Sequence, residues 1–315
     1  MPSNIKVIFL AGGCFWGVQA YFKKVPGVLR TNTGYTNGNY SYTDYQLVKK
    51  TDHAEAVQVF YNPNVVTLNE LLLHFYRLID PCSINKQGGD KGRQYRTGIY
   101  YNDESDLFAI NKVTDFIAKQ YEKPLAVEIE ECKNFVKAED YHQDYLDNNP
   151  GGYCHINMGI FDQPLFNRVF PKPSIEELQT KLSPLEFRVT QESATERSFT
   201  SELEDVYEKG IYISVVSGEP LFLSEDKFDS GCGWPSFTKP ILTESMQYLP
   251  DNTLGMKRTE VRGKNDDAHL GHIFNDGPFD RGGMRYCING AALRFVKFED
   301  MDELGYGDYK VLFSD

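Results

Sequence analysis

Long apolar segments, runs of basic residues and closely paired cysteines are all missing from this chain of 315 residues. No stretch approaches the roughly 20 apolar residues of a membrane-spanning helix, so a helical membrane protein is excluded. The formal net charge of -12 argues against a nucleic-acid partner, because phosphate binding depends on clustered Lys and Arg. Residues 1–6 run into a strand without the apolar region of a signal peptide, so a cytoplasmic location is expected.

Cysteine is scarce, and none of the six stands in a C-x-x-C pair. In a reducing compartment this favours free or transient catalytic thiols over a disulfide scaffold. The six are Cys14, Cys82, Cys132, Cys154, Cys232 and Cys287. Cys82 and Cys132 have no features of a reactive site around them, and we expect both to be structural.

The length and an apolar fraction of 41% predict two soluble globular domains. Residues 5–161 alternate strands and helices, which predicts an α/β or α+β domain, a mixed sheet with helices of the ferredoxin-like type. Segments after a proline-rich stretch are short and rich in β-formers, which predicts a mainly antiparallel β domain. We therefore expect one domain at 1–165, a linker with a short helix opened by Ser174 at 166–181, and a second domain at 182–315.

Local patterns place several elements of the first domain. Thr67 and Glu70 form a capping-box signature, which predicts a helix from there to the Asp80-Pro81 stop. Residues 97–101 and 125–129 are predicted as strands, with a helix around residues 109–121 between them.

The run Gly12-Gly13-Cys14-Phe15-Trp16-Gly17 places a cysteine where an apolar strand turns into a helix. Free backbone N–H groups and the helix dipole at such an N-terminus stabilise a thiolate. The alternative is a buried structural cysteine, which is the commoner fate of this residue. Two glycines before Cys14 and the aromatic pair Phe15-Trp16 after it favour a reactive thiol, with a small apolar group such as a methyl held against the sulfur.

Two further residues suit sulfur chemistry near Cys14. Glu55 lies on the same face of a predicted strand, residues 53–61, as Val57 and Val59. If buried, its carboxyl has a raised pKa and can donate a proton, and the alternative is a strand-end carboxylate in water. Cys154 lies in a glycine-bearing coil, from which a second thiol could travel to an oxidised one.

The C-terminal half carries a second cysteine set. Cys232 and Trp234 lie in a glycine- and proline-containing loop, His269 and His272 follow, and a strand-like segment, residues 285–289, holds Arg285, Cys287 and Asn289. Arginine lowers a thiol's pKa, and histidine can protonate an oxygen. Two Cys and two His are also a common zinc set, but these cysteines lack the close ligand pairs of a structural zinc site.

Residues 4–165 resemble the A-type peptide methionine sulfoxide reductases, through Gly-Cys-Phe-Trp-Gly at 13–17, the helix starting at Leu71 and the turn at residues 92–96. The resemblance implies that Cys14 attacks the sulfoxide sulfur and becomes a sulfenic acid, and that Cys154 closes a disulfide. It also implies that Glu55 protonates the sulfoxide oxygen. The remaining residues of the implied site are Tyr35, Asp80 and Tyr95 near that oxygen, and Phe15 and Trp16 around the methyl group.

Residues 182–309 resemble the B-type methionine sulfoxide reductases, at Gly-Cys-Gly-Trp-Pro-Ser-Phe, His-Leu-Gly-His and Arg-Tyr-Cys-Ile-Asn. The resemblance implies Cys287 as nucleophile, Cys232 as resolving thiol and Trp234 as the methyl pocket. Around the oxygen and sulfur it implies His269, His272, Asp276, Arg285 and Asn289. Many relatives bind a structural zinc through two C-x-x-C pairs, whose apparent places here hold Ser214, Ser217, Gly263 and Asp266. This chain therefore resembles the zinc-free branch.

Together the two resemblances imply a fused enzyme that repairs oxidised proteins under oxidative stress. The N-terminal domain is expected to reduce the S epimer of methionine sulfoxide, free or protein-bound, and the C-terminal domain the R epimer. Thioredoxin is the implied external reductant, and neither a bound cofactor nor a metal is expected. The rival hypothesis is a thiol redox sensor or a module that binds oxidised proteins, in which the cysteines cycle without turnover.

Overall fold

The computed structural model describes residues 5–314. The chain divides into two compact units, with the division between Leu165 and Phe166. None of the helices among the described residues is long and apolar enough to cross a membrane.

The first unit is built on a mixed sheet with the strand order β7-β6-β1-β3-β2-β8, in which only β6 and β7 run parallel within the described residues. Its strands are β1 (Lys6–Gly12), β2 (Val28–Thr36), β3 (Ala54–Tyr61), β4 (Lys86–Gln87), β5 (Asp90–Lys91), β6 (Thr97–Tyr101), β7 (Glu128–Glu131) and β8 (Val136–Lys137). Its helices are α1 (Phe15–Phe22), α2 (Val48–Thr51), α3 (Leu68–Tyr76), α4 (Leu107–Ala118) and α5 (Tyr145–Asn148). Helix α1 packs against β1, β2 and β3, and α4 packs against α3.

Local hydrogen bonds set the ends of these elements. The Thr67 side chain accepts from Glu70 N, as the capping signature predicts, but α3 ends at Tyr76 instead of reaching Asp80. After Tyr76 the backbone changes to the tighter i to i+3 hydrogen bonds, Leu78 N to Phe75 O among them.

Strand β6 has its predicted bounds, whereas β7 begins at Glu128 and not at residue 125. Ala126 N donates to Pro81 O, so the residues before Glu128 pair with the turn after α3 and not with the sheet.

The second unit holds two antiparallel sheets, with the orders β10-β9-β17 and β11-β12-β16-β15-β14-β13. Its strands are β9 (Gly210–Ser214), β10 (Pro220–Leu223), β11 (Lys227–Phe228), β12 (Ser236–Phe237), β13 (Met246–Asp251), β14 (Arg258–Gly263), β15 (His269–Phe274), β16 (Arg285–Ile288) and β17 (Leu293–Lys297). Its core packs Tyr212, Phe222, Phe237 and Leu270 together. The predicted fold class, a mixed sheet with helices followed by a mainly antiparallel β region, is confirmed.

Two helices open the second unit. Helix α6 (Ile175–Lys181) is the predicted short helix, and Ser174 with Glu177 forms its capping box. Helix α7 (Pro184–Glu192) was not predicted, although Ser183 and Glu186 form a second capping box with Pro184 in the first turn. These residues are a recognisable helix start, because proline fits the first turn of a helix without losing a hydrogen bond.

Candidate active sites

Cys14 is the N-cap residue of α1, between the end of β1 and the first helical turn, as the sequence predicts. The chain turns at Gly13, whose φ is +86° and whose Cβ, if present, would lie 2.6 Å from Gln87 Cβ. A glycine is therefore needed at position 13 for both conformation and space. The turn leaves Cys14 buried, with 7% of its surface exposed.

Glu55 lies on β3 and is buried, with 2% of its surface exposed, so the solvated alternative is wrong. Its Oε2 accepts a hydrogen bond from Phe15 N, at 3.3 Å, in the first turn of α1. Burial raises the pKa of Glu55 to about 8, although the Phe15 N–H opposes the shift. The carboxyl is therefore mostly protonated at neutral pH and can donate a proton or a hydrogen bond.

The Cys14 thiol differs from the expected thiolate. Burial and the nearby Glu55 carboxyl raise its pKa, and the Trp16 N–H at the helix N-terminus lowers it by less. The helix N-terminus has the expected effect, but at this buried position the loss of hydration outweighs it. At neutral pH the Cys14 thiol is therefore protonated, and the Glu55 carboxyl is mostly protonated.

Aromatic rings form the wall beside Cys14. Phe15 is buried against Tyr35, with ring centroids 5.7 Å apart, and against His142, at 5.2 Å. Trp16 stacks on Tyr145, with centroids 3.7 Å apart, and its Nε1 donates to His142 Nδ1 at 3.1 Å. The sequence analysis missed His142 and Tyr145, which lie on a one-turn helix at Asp140–His142 and at the start of α5 and belong to no motif.

The other predicted residues of this site have different surroundings. The Tyr35 hydroxyl donates to Glu139 Oε2 at 2.8 Å, and burial and Glu139 raise its pKa. Burial and Glu55 raise the pKa of Tyr95, which follows from its position near that carboxyl. Asp80 is exposed, and its Oδ1 accepts from Cys82 N. No hydrogen bond among residues 5–314 joins Asp80 to Cys14, Glu55, Tyr35 or Tyr95.

Cys154 lies beside the first turn of α1. A methyl group on Gly17 would lie 2.9 Å from Cys154 Sγ, so the coil packs onto the helix face that begins at Cys14. The thiol donates to Ile156 O at 3.2 Å, and His155 Nε2 is 3.1 Å from Gly12 O. The coil is therefore attached to both sides of the Cys14 turn.

The second site occupies one face of the larger antiparallel sheet. Ser236, Cys287, His272 and Glu260 are successive register partners across β12, β16, β15 and β14. Directly opposed residues of an antiparallel sheet share a face and lie about 5 Å apart, so this row places His272 beside Cys287.

A register irregularity brings His269 to the same face. Residues three apart on a regular strand point to opposite faces, yet the rings of His269 and His272 lie 5.7 Å apart. The pairing shifts between Val261 and Arg262, which places Arg262 opposite His269. Gly271 permits the shift, because its φ is +156° and a Cβ there would lie 2.1 Å from the Cys287 carbonyl oxygen.

The two cysteines of this site are adjacent, with Cys232 Sγ 3.6 Å from Cys287 Sγ. Hydrogen bonding from Cys287 and from the Ser230 hydroxyl, at 2.9 Å, lowers the pKa of Cys232. The same pairing, together with burial, raises the pKa of Cys287, and Arg285 opposes the shift. The two sulfurs therefore share one proton across a short gap.

A cavity of about 120 Å³ lies against Cys287. It is lined by Thr195, Trp234, Arg258, Gly271, His272, Phe274, Cys287 and Asn289. A hydrogen bond orients the Trp234 indole, because its Nε1 donates to Glu196 O at 3.3 Å. The volume suits a side chain with a few heavy atoms, with the indole as one wall.

Arg285 and Asn289 are already paired within the protein. Arg285 makes a two-pronged ion pair with Asp276, at 2.8 and 2.9 Å, and lies over the Phe274 ring. Asn289 donates to Leu270 O and accepts from Glu196 N. Asp276 therefore orients Arg285 in this structure, and the sequence analysis missed Thr195, Glu196 and Arg258.

Three of the four positions that the resemblance relates to zinc ligands, Ser214, Ser217 and Asp266, form a hydrogen-bonded cluster. Asp266 is fully buried and accepts from the Ser214 and Ser217 hydroxyls, at 2.5 and 2.7 Å, and from Ala268 N. No group of three or more His, Cys, Asp or Glu among residues 5–314 is arranged to hold a metal ion.

Comparison with protein-family models gives two matches that follow one another along the chain. Residues 6–173 match the peptide methionine sulfoxide reductase family, and residues 182–297 match the SelR domain. The chain belongs to the peptide methionine sulfoxide reductase family. It is a fusion of an A-type and a B-type reductase, as the sequence motifs predict. The reductase reduces methionine sulfoxide, and its two parts correspond to the peptide-methionine (S)-S-oxide and (R)-S-oxide reductase activities.

Solved structures similar to this reductase cover about half of its chain. Reduced Mxr1 from Saccharomyces cerevisiae is 41% identical over 49% of this chain and 91% of its own, with a TM-score of 0.47. Methionine sulfoxide reductase A of Corynebacterium diphtheriae is 30% identical over 49% of this chain and 80% of its own, with a TM-score of 0.46. A structure of Mxr1 in complex with Trx2 is 31% identical over 46% of this chain and 87% of its own, with a TM-score of 0.34.

Proposed function

We propose that each compact unit carries out one complete reduction with its own pair of cysteines. The observation that carries this proposal is that each unit places a second cysteine beside its candidate nucleophile. Cys232 Sγ lies 3.6 Å from Cys287 Sγ, and Cys154 Sγ packs against Gly17, three residues after Cys14. A sulfenic acid formed on either nucleophile has a thiol close by with which to condense.

In the first unit, the Cys14 sulfur attacks the sulfoxide sulfur while the protonated Glu55 carboxyl donates to the sulfoxide oxygen. The oxygen, now a hydroxyl, passes from the substrate sulfur to the Cys14 sulfur, so methionine leaves as the sulfide and Cys14 becomes a sulfenic acid. The proton that the Cys14 thiol lost restores the Glu55 carboxyl. Cys154 then attacks the sulfenic sulfur, which forms a disulfide and releases water. Tyr35, Asp80 and Tyr95 contribute to binding the substrate, and Phe15 with Trp16 encloses its methyl group.

In the second unit, Cys287 is the nucleophile and Cys232 the resolving thiol. The substrate side chain enters the cavity beside Cys287 with its methyl group against Trp234. His269 and His272 lie around the sulfoxide oxygen, to which a histidine can donate a proton. Arg285, held by Asp276, favours negative charge on Cys287. Asn289 holds the cavity wall through the Leu270 and Glu196 backbone.

An external dithiol reduces each disulfide, so that one turnover converts methionine sulfoxide and a dithiol into methionine, a disulfide and water. We propose thioredoxin as that dithiol, and repair of oxidised methionine in cytoplasmic proteins as the role. We also propose an A-type domain at 1–165 and a B-type domain that contains residues 182–315 and folds without zinc. The Asp266 cluster supports a fold without zinc, because hydrogen bonds join Ser214, Ser217 and Asp266 at three of the four corresponding positions.

The deciding experiment measures reduction of each separate epimer of methionine sulfoxide with dithiothreitol, for the intact chain and two variants. Cys14→Ser should abolish S-epimer reduction alone, and Cys287→Ser should abolish R-epimer reduction alone. If neither epimer is reduced while peroxide still oxidises the thiols, the protein is a redox sensor and the proposal fails.

A further inference from the structure

Both histidines of the R-epimer site are held by a carboxylate that is itself held by an arginine. His272 Nε2 lies 2.7 Å from Asp251 Oδ2, which also accepts from Arg258 at 2.6 Å. His269 Nδ1 lies 2.6 Å from Glu260 Oε1, which also accepts from Arg262 at 2.8 Å.

The two carboxylates bind opposite nitrogens of the two rings. The bound arginine favours the ionised form of each carboxylate. An ionised carboxylate only accepts hydrogen bonds, so the ring nitrogen that faces it must carry a proton. The proton of neutral His272 is thereby fixed on Nε2, and that of neutral His269 on Nδ1. The nitrogens left over, His272 Nδ1 and His269 Nε2, have no hydrogen-bond partner in the described part of the chain.

Four hydrogen bonds hold Asp251 in place. Its Oδ1 accepts from Thr253 N, at 2.9 Å, and from the Thr253 hydroxyl, at 2.7 Å, while its Oδ2 serves Arg258 and His272. These donors lower the pKa of Asp251, and hydrogen bonds from His269 and Arg262 help to lower that of Glu260 against its burial. Both groups are therefore anions at every pH at which the enzyme would work.

The sheet register places the His272–Asp251 pair beside Cys287 and the His269–Glu260 pair next to it. Glu260 and His272 are direct register partners, His272 and Cys287 are the next pair in the row, and Asp251 pairs with Arg258. Arg258 and His272 both line the cavity beside Cys287. His272 Nδ1, the ring nitrogen that Asp251 does not bind, is thus on the imidazole next to Cys287, the proposed nucleophile.

We propose that Asp251 and Glu260 are positioning residues of the R-epimer site, which fix His272 and His269 in opposite tautomers, one carboxylate for each imidazole. This inference rests on the proposed role of Cys287. A fixed tautomer matters because only the unbound nitrogen can receive a proton and then donate it to a sulfoxide oxygen. The nearby carboxylate balances the resulting positive charge.

Nitrogen-15 NMR of the histidine rings in the full chain tests the arrangement directly. The sequence contains only six histidines, so each imidazole can be assigned by a His→Gln variant. Neutral His272 should carry its proton on Nε2 and neutral His269 on Nδ1. The opposite tautomer, or rapid exchange between the two, at either ring of the unmodified protein would overturn the proposal, whatever the variants do.

The variants Asp251→Asn and Glu260→Gln test the consequence for activity. An amide can donate to the ring nitrogen and reverse the tautomer, as a carboxylate cannot. Each variant should alter the NMR signature of its own histidine alone and lower R-epimer kcat by about 100-fold, with a smaller change in KM. Asp302→Asn is the matched control, since Asp302 pairs with Lys310 at an exposed position of the same unit and should leave kcat unchanged.

Reduction of the S epimer by the same molecules measures the amount of active protein. Normal R-epimer kcat in both variants, with Cys287→Ser inactive, would overturn this inference and leave the proposed function intact. If Cys287→Ser retains R-epimer reduction, the proposed function itself fails.

Discussion

At the residue scale, the carboxyl of Glu55 shows how far a strand pattern can predict chemistry. Alternation places Glu55 on the face of Val57 and Val59, and all three are buried. Burial follows from the pattern, and a raised pKa follows from burial. The hydrogen bond from Phe15 N could not be predicted, because it joins residues 40 positions apart through the packing of α1 on β3.

The raised pKa of Glu55 makes the stability of the first unit depend on pH. In the folded protein the carboxyl titrates near 8, against an ordinary value of 4.5, so between these values the folded state binds more protons than the unfolded state. Stability therefore decreases as pH rises through this window, by on the order of 1 kcal/mol per pH unit. Glu55→Gln should remove that dependence. The stability of the variant relative to the parent should therefore increase between pH 5 and pH 8.

Tryptophan fluorescence can follow this unfolding, because each compact unit contains one of the two tryptophans. A Trp234→Phe background leaves Trp16 as the reporter of the first unit. Urea unfolding of parent and variant at several pH values gives the difference. Parallel pH profiles for the two proteins would mean that Glu55 is ionised in the folded state at neutral pH.

Cys14 illustrates two opposing effects at one residue. The motif correctly predicts an N-cap position, from which helix N–H groups favour a thiolate. Its burial depends on distant segments, the Cys154 coil and the strand that holds Glu55, and burial has the larger effect on the pKa. The sequence thus predicts how the helix N-terminus changes the pKa of Cys14, but it does not predict the larger effect of burial.

At the scale of elements, the position of the two histidines in β15 depends on an irregularity that spacing alone does not predict. His269 and His272 would face opposite sides of a regular strand, and only the shifted pairing with β14 brings them together. A glycine within a strand suggests such a site, but its partner strand can be identified only in the folded sheet.

Gly271→Ala should break this arrangement. The new methyl group would lie 2.1 Å from the Cys287 carbonyl oxygen, so β15 and β16 must separate beside the nucleophile. We expect R-epimer kcat/KM to fall by at least about 10-fold and the second unit to lose about 1 to 3 kcal/mol of stability, with S-epimer reduction unchanged.

Gly283→Ala is a suitable control for this substitution. Gly283 also has a positive φ, +73°, but an added Cβ would meet no atom within 4 Å. It should cost stability through conformation alone and leave R-epimer kinetics near those of the parent. Equal losses of activity in both variants would show that the close approach at Gly271 is unimportant.

At the scale of the whole molecule, the sequence changes from alternating strands and helices to short β segments, which predicts two successive domains of different fold. Each of the two compact units contains one of the cysteine sites. The motif residues could be found from sequence because they are contiguous. The residues that support them, among them Glu139, His142, Asp251 and Glu260, lie on other elements and carry no motif of their own. Their roles arise from tertiary contacts, which one sequence does not reveal.

Residues 166–181, predicted as a linker, contain buried apolar side chains. Phe166, Phe170 and Leu178 are each less than 10% exposed. Phe166 packs on Tyr309, and Leu178 belongs to the core that contains Tyr212. This segment therefore supplies apolar surface to the second unit, although its composition is that of a linker.

Separate production of the fragments 1–165, 166–315 and 182–315 tests this conclusion. Each of the first two fragments contains its own core and its own pair of cysteines, so we expect 1–165 to reduce only the S epimer and 166–315 only the R epimer. Fragment 182–315 should be less stable than 166–315 by about 2 kcal/mol or more, because burial of each lost side chain contributes about 1.5 to 3 kcal/mol. Urea unfolding followed by Trp234 fluorescence measures the difference. Equal midpoints and equal R-epimer rates for the two fragments would mean that residues 166–181 are a linker and that the B-type domain is complete from residue 182.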